Sequence, residues 1–220
     1  MTAGRTAAEG PARPPIPEAI SGPGVIAIGR GLDPSGVVAI GEALLAGGVR
    51  AFEVTLNSPA ALDALAALAA RFPEGDLLVG AGTVLDVPGA EAAIAAGARF
   101  LVMPNTDLGL VAWAAAQSIP AFPGAMTPSE VLAAWRARAA AVKLFPASVV
   151  GPSFIREFRG PFRDIPLVPT GGVTADTAPS FIAAGALAVG LGGWLTASGD
   201  PDTVRRRAAE VVAAVAGARP

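Results

Sequence analysis

The amino-acid sequence predicts an α/β protein, a single-domain (β/α)8 TIM barrel, from three observations. From residue 25 onward, short β-prone runs alternate with alanine-rich helical segments, as βα units with parallel strands do. Eight such runs occur, and the length of 220 residues fits one large barrel better than two domains. A doubly wound open sheet is the alternative, but evenly spaced units that end in glycine-rich turns favour the barrel.

The predicted elements follow one another in a regular order. The eight predicted strands are Val25 to Arg30, Ala51 to Leu56, Leu77 to Thr83, Phe100 to Asn105, Ala121 to Pro123, Ala141 to Phe145, Leu167 to Thr170 and Ala188 to Leu191. Between the strands, Asp33-Pro34 and Ser58-Pro59 are typical of a helix N-cap followed by a first-turn proline. Gly47-Gly48 and Gly97 stand where helices should stop, which is typical of left-handed C-terminal caps.

The domain organisation is simple. Residues 1–17 contain several prolines and lack the apolar centre of a secretory signal, so we expect a flexible N-terminal tail. Residues 18–220 form the predicted barrel domain. Proline and glycine fall between the elements rather than in one linker, and no further boundary is evident.

Composition excludes several classes of function. The formal net charge is −2, and we find no basic patch interleaved with aromatic residues, so nucleic-acid binding is not expected. Although 52% of the residues are hydrophobic, no uninterrupted apolar stretch has spanning length, so we expect no membrane association. Without cysteine or histidine, a metal site would need oxygen ligands alone. We expect a cytoplasmic protein without a bound metal.

Lys143 is the only lysine of the chain and lies in the apolar run 139–146. Arginine supplies every other cationic side chain, so a single solubilising lysine has no evident purpose. Burial lowers the pKa of an amine toward the neutral form that attacks carbonyl groups. The sequence also lacks histidine, cysteine and tyrosine, which leaves few other nucleophiles. Lys143 is therefore the candidate for a Schiff base, and the alternative is a lysine whose ammonium group reaches water past an apolar surface.

Polar residues alternate along the second predicted strand. Glu53, Thr55 and Asn57 share one face, which we expect to point into the barrel. On the sixth predicted strand, Lys143 and Phe145 share a face. Glu53 could therefore meet Lys143 at the barrel mouth and transfer protons there, and a buried ion-pair member is the alternative role.

Two glycine-rich turns follow the last two predicted strands, at Gly171-Gly172 and Gly192-Gly193. Backbone N–H groups after strands seven and eight of such barrels commonly bind phosphate. The alternative is a tight turn that needs positive φ angles. Arg30 ends the first predicted strand and is a candidate to bind a carboxylate with two hydrogen bonds, or is simply solvated.

Several short motifs, taken in order, make the sequence similar to a known family. They are Gly47-Gly48-Val49, Glu53-Val54-Thr55, Gly80-Ala81-Gly82-Thr83-Val84, Pro123-Gly124, Lys143-Leu144-Phe145-Pro146 and Thr170-Gly171-Gly172. In combination they resemble the pyruvate-dependent class I aldolases that cleave 2-keto-3-deoxy-6-phosphogluconate, and their phosphogalactonate relatives. The resemblance spans about residues 24 to 196.

The resemblance implies a reaction and a set of roles. Lys143 would form the Schiff base and Glu53 would transfer protons in the reversible cleavage of 2-keto-3-deoxy-6-phosphogluconate to pyruvate and glyceraldehyde 3-phosphate, without a cofactor. The other implied site residues are Thr83 and Pro104 for the pyruvoyl portion, Phe145 for the pocket wall, and Gly171, Gly172, Gly192 and Gly193 for the phosphate. The resemblance also implies a homotrimer.

The sequence departs from the phosphogluconate aldolases in ways that leave the substrate open. Asn57 stands where an arginine commonly holds the substrate carboxylate, and Arg30 is a candidate replacement, as in the phosphogalactonate branch. Thr170 instead resembles the phosphogluconate type, whose threonine binds the C4 hydroxyl. Gly193 replaces the serine of many relatives. The phosphogalactonate epimer and 4-hydroxy-2-oxoglutarate are therefore alternative substrates.

The residues alone also leave two other functions open. A phosphosugar isomerase could use Glu53 as a base without a covalent intermediate, and a barrel without catalysis could simply bind a phosphorylated ligand.

Overall fold

The computed structural model describes residues 12–73 and 76–219. The helices are α1 (Glu18–Ser21), α2 (Val37–Ala46), α3 (Ala61–Arg71), α4 (Val87–Ala95), α5 (Leu108–Ala116), α6 (Pro128–Arg136), α7 (Ala147–Arg159), α8 (Ala178–Ala183), α9 (Gly193–Thr196) and α10 (Pro201–Gly217). The strands are β1 (Val25–Gly29), β2 (Ala51–Thr55), β3 (Leu78–Gly82), β4 (Leu101–Val102), β5 (Ala121–Phe122), β6 (Gly124–Ala125), β7 (Val142–Leu144), β8 (Leu167–Pro169) and β9 (Val189–Leu191).

Every strand pair in the described residues is parallel, which confirms the α/β class. Six strands pair in the order β5-β4-β3-β2-β1-β9, and three pair in the order β6-β7-β8. A parallel bridge between Thr170 and Gly190 links the second sheet to β9 of the first. Helices join the consecutive strands except β5 and β6, which follow one another directly, so the carboxyl ends of the parallel strands lie at the same edge of this curled sheet.

The predicted fifth strand, Ala121 to Pro123, contains β5, and β6 lies outside the predicted runs, directly after Pro123. Proline has no N–H to donate to a neighbouring strand, so a regular ladder cannot run through it. The Pro123 carbonyl still accepts a hydrogen bond of 2.9 Å from the Lys143 N–H. Each of the other seven assigned strands lies within a predicted run.

Alternation along the strands separates two apolar clusters. Residues such as Val25 and Phe52 face the helices and join the larger cluster. Residues such as Ile26, Phe100 and Phe122 form a second cluster on the concave face of the sheet, together with Ile20 of α1. Ile28, two residues after Ile26 on β1, is not part of this cluster and lines a cavity at the carboxyl ends of the strands.

Two predicted helix starts were wrong. The helix after β2 begins at Ala61, and Ser58 is not its cap because the Ser58 hydroxyl contacts Thr55 instead. The helix after β1 begins at Val37, and the Asp33 carboxylate accepts a hydrogen bond from the Ser35 N–H within the preceding turn. Of the glycines predicted as left-handed caps, Gly48 and Gly97 have φ angles of 90° and 102°, whereas Gly47 has a φ of −85°.

Part of the predicted N-terminal tail falls within the described residues. Residues 1–11 lie outside them. The guanidinium of Arg13 stacks on the Trp135 ring at 3.1 Å from the ring centroid and donates hydrogen bonds to the carbonyls of Trp135 and Ala139. Arg13 thus contacts the end of α6. In the described part of the chain, no helix has both the length and the apolar character that crossing a membrane requires.

Candidate active site

A cavity of about 400 Å³ opens at the carboxyl ends of β1, β2, β7, β8 and β9. Its wall is formed by Ile28, Arg30, Glu53, Lys143, Phe145, Thr170, Gly171, Gly172, Gly192, Gly193, Thr196 and Ala197. The two candidate catalytic residues and both glycine-rich turns therefore line one cavity. A wider depression of about 800 Å³ lies at the opposite end of the strands, near Arg50 and Arg99, and does not contain this pair.

Glu53 projects from the middle of β2 and is buried, with 2% of its surface exposed. Gly82 of β3 provides the necessary space, because a Cβ atom at this position would lie 2.8 Å from Glu53 Oε1. The Oε2 atom is buried without a hydrogen-bond partner within the described residues. An unpaired buried carboxylate is costly, so burial raises the pKa of Glu53 to about 7, although Lys143 and Arg30 oppose this shift.

Lys143 projects from β7 and is 7% exposed. Its Nζ atom lies 4.7 Å from the centroid of the Phe145 ring. Burial lowers the pKa of the Lys143 amine, Arg30 lowers it further, and the negative charge of Glu53 opposes both. In the described part of the chain, Lys143 Nζ and the Glu53 carboxylate oxygens are more than 4.0 Å apart, so the two groups form no ion pair. Both groups therefore tend toward their neutral forms.

This electrostatic arrangement suits proton transfer and nucleophilic attack near neutral pH. A neutral amine is the nucleophilic form of lysine, and lowering the pKa increases its population. A carboxyl group with a pKa of about 7 can both accept and donate a proton at that pH. The cavity thus combines a nucleophile with an acid-base group.

The first glycine turn follows β8 and takes its shape from two positive φ angles, 94° at Gly171 and 79° at Gly172. A side chain would also crowd its neighbours, since a Cβ atom at Gly172 would lie 2.8 Å from the Cβ atom of Ser148. Glycine is needed at these positions because other residues adopt such angles at a cost. Gly171-Gly172 is therefore a tight turn with positive φ angles, which was the alternative prediction, and such a turn can also bind a ligand.

The second glycine turn follows β9 and is held against β1 by Thr196. This threonine is buried, and its Oγ1 donates a hydrogen bond of 2.7 Å to the Ile28 carbonyl. The same Oγ1 lies 3.2 Å from the Gly192 carbonyl. Thr170, which directly follows β8, is 5% exposed, and its hydroxyl donates a hydrogen bond of 3.2 Å to the Val168 carbonyl. Gly190 lacks the Cβ atom that would collide with the Thr170 hydroxyl.

Three candidate residues occupy other positions at the same edge of the sheet. Asn57 is exposed and lies beyond the end of β2, so the alternation of this strand does not extend to it. Thr83 follows β3 with a φ of 55° and is half-buried. Pro104 follows β4 and is half-buried. Within the described residues, the cavity wall does not include Asn57, Thr83 or Pro104, and their binding roles stay predictions.

Sequence reasoning missed residues that act through contacts distant in sequence. Thr196 contacts a carbonyl 168 positions away, and no local pattern indicates this. The small residues of β3 also act through such contacts, since Gly82 leaves room for Glu53 and Gly80 leaves room for the Phe100 ring.

The fold and the cavity together define a class of protein. It is a parallel α/β enzyme in which a buried lysine, a carboxyl group of raised pKa and two glycine turns face one cavity. This set of groups is suited to Schiff-base chemistry on a carbonyl compound.

Comparison with known proteins agrees with this class. The family model described as KDPG and KHG aldolase matches residues 22–209. A probable 2-dehydro-3-deoxy-6-phosphogalactonate aldolase from Rhizobium meliloti is 37% identical over 166 residues, which cover 74% of this chain and 78% of the relative. A 2-dehydro-3-deoxy-phosphogluconate aldolase from Pseudomonas aeruginosa is 40% identical over 134 residues, which cover 60% of each chain.

A solved structure extends the comparison. The KDPG aldolase of Legionella pneumophila, with pyruvate captured as a covalent carbinolamine intermediate, superposes with a TM-score of 0.76 at 28% identity. The match covers 92% of this chain and 97% of that one. The chain belongs to the KDPG and KHG aldolase family and is a class I aldolase, a carbon–carbon lyase.

Proposed function

We propose that residues 18–220 form one (β/α)8 barrel that reversibly cleaves 2-keto-3-deoxy-6-phosphogluconate to pyruvate and glyceraldehyde 3-phosphate. The parallel order of the strands and the bridge between Thr170 and Gly190 support the barrel. The observation that carries the proposed reaction is the common cavity of Lys143, Glu53 and the two glycine turns.

The reaction begins with attack of the neutral Lys143 amine on the 2-keto carbon. The resulting carbinolamine loses water and becomes a protonated imine, which accepts electrons as the C3–C4 bond breaks. This covalent route stabilises the carbanion without a cofactor. The low exposure of Lys143 and the lowered pKa of its amine support this role.

Glu53 acts as the acid-base group, through a water molecule. As C3–C4 cleaves, Glu53 receives the proton of the C4 hydroxyl, glyceraldehyde 3-phosphate leaves, and an enamine of pyruvate remains on Lys143. Glu53 then returns the proton to C3, and hydrolysis of the imine releases pyruvate. The unpartnered Oε2 atom and the pKa of about 7 support this assignment.

The substrate spans the cavity from Lys143 and Glu53 to the two glycine turns. Gly171, Gly172, Gly192 and Gly193 bind the phosphate through backbone N–H groups. Phe145 packs against the pyruvoyl portion beside Lys143, and Thr83 and Pro104 approach it from β3 and β4. Arg30 binds the substrate carboxylate in place of the arginine that Asn57 replaces. Its presence in the cavity wall supports this role.

The C4 configuration of the substrate divides two closely related functions. The presence of Thr170 in the cavity wall supports the phosphogluconate epimer. Arg30 in the same wall also fits the phosphogalactonate epimer and 4-hydroxy-2-oxoglutarate. A homotrimer is a further proposal that rests on the family resemblance, and a cytoplasmic location is a proposal that rests on the composition of the sequence.

The test is to incubate the purified protein with each C4 epimer and to quantify pyruvate and triose phosphate. We expect equal amounts of both products, formed faster from the phosphogluconate epimer. The Lys143→Met variant, purified in the same way, controls for contaminating host aldolase. An isomerised sugar without pyruvate, or binding of the substrate without turnover, contradicts the proposal.

A further inference from the structure

A pair of buried hydroxyl groups connects the strand of Glu53 to the loop after β1. Thr55 ends β2 at 1% exposure, and Ser58 lies three residues later at 8% exposure. Their hydroxyl oxygens are 2.9 Å apart. The Ser58 hydroxyl also accepts a hydrogen bond of 2.8 Å from the backbone N–H of Gly31. Ser58 thus joins two loops that are 27 positions apart in sequence.

The bonded Gly31 directly follows Arg30, whose side chain lines the cavity. Within the described residues, the Arg30 guanidinium makes no hydrogen bond and no ion pair. A long side chain without such contacts can adopt many rotamers, so its mean position depends on where the backbone is fixed. The β1–β2 ladder ends at Gly29 and Val54, and the Ser58 contact lies just beyond that end.

We infer that Ser58 is a positioning residue, which fixes the backbone beside Arg30 and thereby keeps the Arg30 guanidinium at the cavity. Ser58 is not among the residues of the cavity wall in the described part of the chain, so it acts through Gly31 and Arg30. The Thr55 and Ser58 hydroxyls form a hydrogen bond with each other, and a lone pair of the Ser58 oxygen accepts the hydrogen bond from the Gly31 N–H. This inference rests on the proposed function.

Displacement of Arg30 has two expected consequences. The substrate carboxylate loses part of its binding energy, which raises KM. In addition, two cations act on Glu53, namely Lys143 from β7 and Arg30 from the end of β1, and both favour the ionised carboxylate. When Arg30 moves away, the pKa of Glu53 rises, so the acidic limb of the kcat/KM profile moves to higher pH.

A double-mutant cycle tests whether Ser58 acts through Arg30. Ser58→Ala is expected to lower kcat/KM by about 10-fold, which is typical of one lost hydrogen bond. Arg30→Leu is expected to lower it by about 50-fold, because it removes a charged contact. In the Arg30→Leu background, Ser58→Ala should cause no further decrease and no further movement of the acidic limb. Independent effects that multiply in the double variant overturn the inference.

Two variants separate positioning from a general loss of packing. Ser58→Thr keeps the hydroxyl and is expected to recover most of the activity, whereas failure to recover it contradicts the role of the hydrogen bond. Ser180→Ala removes another hydroxyl, that of an exposed residue of α8, which donates a hydrogen bond of 2.7 Å to the carbonyl of Thr177, the residue before this helix. This control should leave kcat/KM unchanged.

Amide exchange distinguishes failure of this inference from failure of the proposed function. The Gly31 amide should exchange with solvent about 10-fold faster in Ser58→Ala than in the wild type, because it loses its acceptor. If the wild type cleaves neither epimer, the proposed function fails irrespective of this result. If the Gly31 amide exchanges equally fast in both proteins, Ser58 does not anchor the loop and the inference fails.

Discussion

The two halves of the cavity are built in different ways. Lys143 and Glu53 project from strands β7 and β2, and both side chains are at least nine-tenths buried. The glycine turns after β8 and β9 instead present backbone and lie where the strands have ended. The strand-borne half can alter pKa values by burial, whereas the loop-borne half can place several N–H groups without titratable side chains. Chemistry and phosphate binding should therefore respond separately to mutation.

The largest expected effect is on the strand-borne half. Glu53→Gln keeps the shape of the side chain but removes the acid-base group, so kcat for cleavage should decrease by about 10²- to 10⁴-fold. In the wild type, kcat/KM should decrease as the pH falls through about 7, where Glu53 takes up a proton. The pH profile of the variant should lack this limb. An unchanged limb in Glu53→Gln would assign the titration to another group.

The raised pKa of Glu53 also affects stability. The folded protein holds this proton with a pKa of about 7 and an unfolded glutamate with one of about 4.5. The stabilising contribution is therefore complete below pH 4.5 and is lost as the pH rises through 7. Over this range, the wild type should lose roughly 3 kcal/mol of unfolding free energy relative to Glu53→Gln. Urea unfolding of both proteins at several pH values measures the difference, and parallel curves contradict the assignment.

The loop-borne half should show a smaller effect that is confined to substrate binding. Gly172→Ala forces a left-handed φ of 79° on alanine and brings its Cβ atom against Ser148. We expect KM for the phosphorylated substrate to rise by about 10-fold, with trapping of pyruvate on Lys143 retained. Gly199→Ala is the matched control, since its φ of 65° is also positive but no atom lies within 4 Å of the new Cβ. A parallel loss of pyruvate trapping in Gly172→Ala would show that the two halves are not independent.

The same contrast explains how much could be predicted from the sequence. Lys143 and Glu53 could be placed in one cavity because strand alternation and residue type both act locally. Each of the eight predicted strands contains an assigned strand, whereas β6 in the described residues was not predicted. The interruption between β5 and β6 follows from the missing N–H of Pro123. The contacts of Ser58 with Gly31 and of Thr196 with Ile28 could not be predicted, because they join residues 27 and 168 positions apart. Loop geometry decides these contacts.

The central claim is that Lys143 forms a Schiff base, and the most direct test is the intact mass after incubation with pyruvate and borohydride. Wild type should gain the mass of one reduced pyruvate unit, and peptide mapping should place it on Lys143. Lys143→Met should gain nothing, and neither should Lys143→Arg, because a guanidinium retains the positive charge but is always protonated. A correctly folded wild type that stays unmodified, or an adduct that persists in Lys143→Met, would contradict the account.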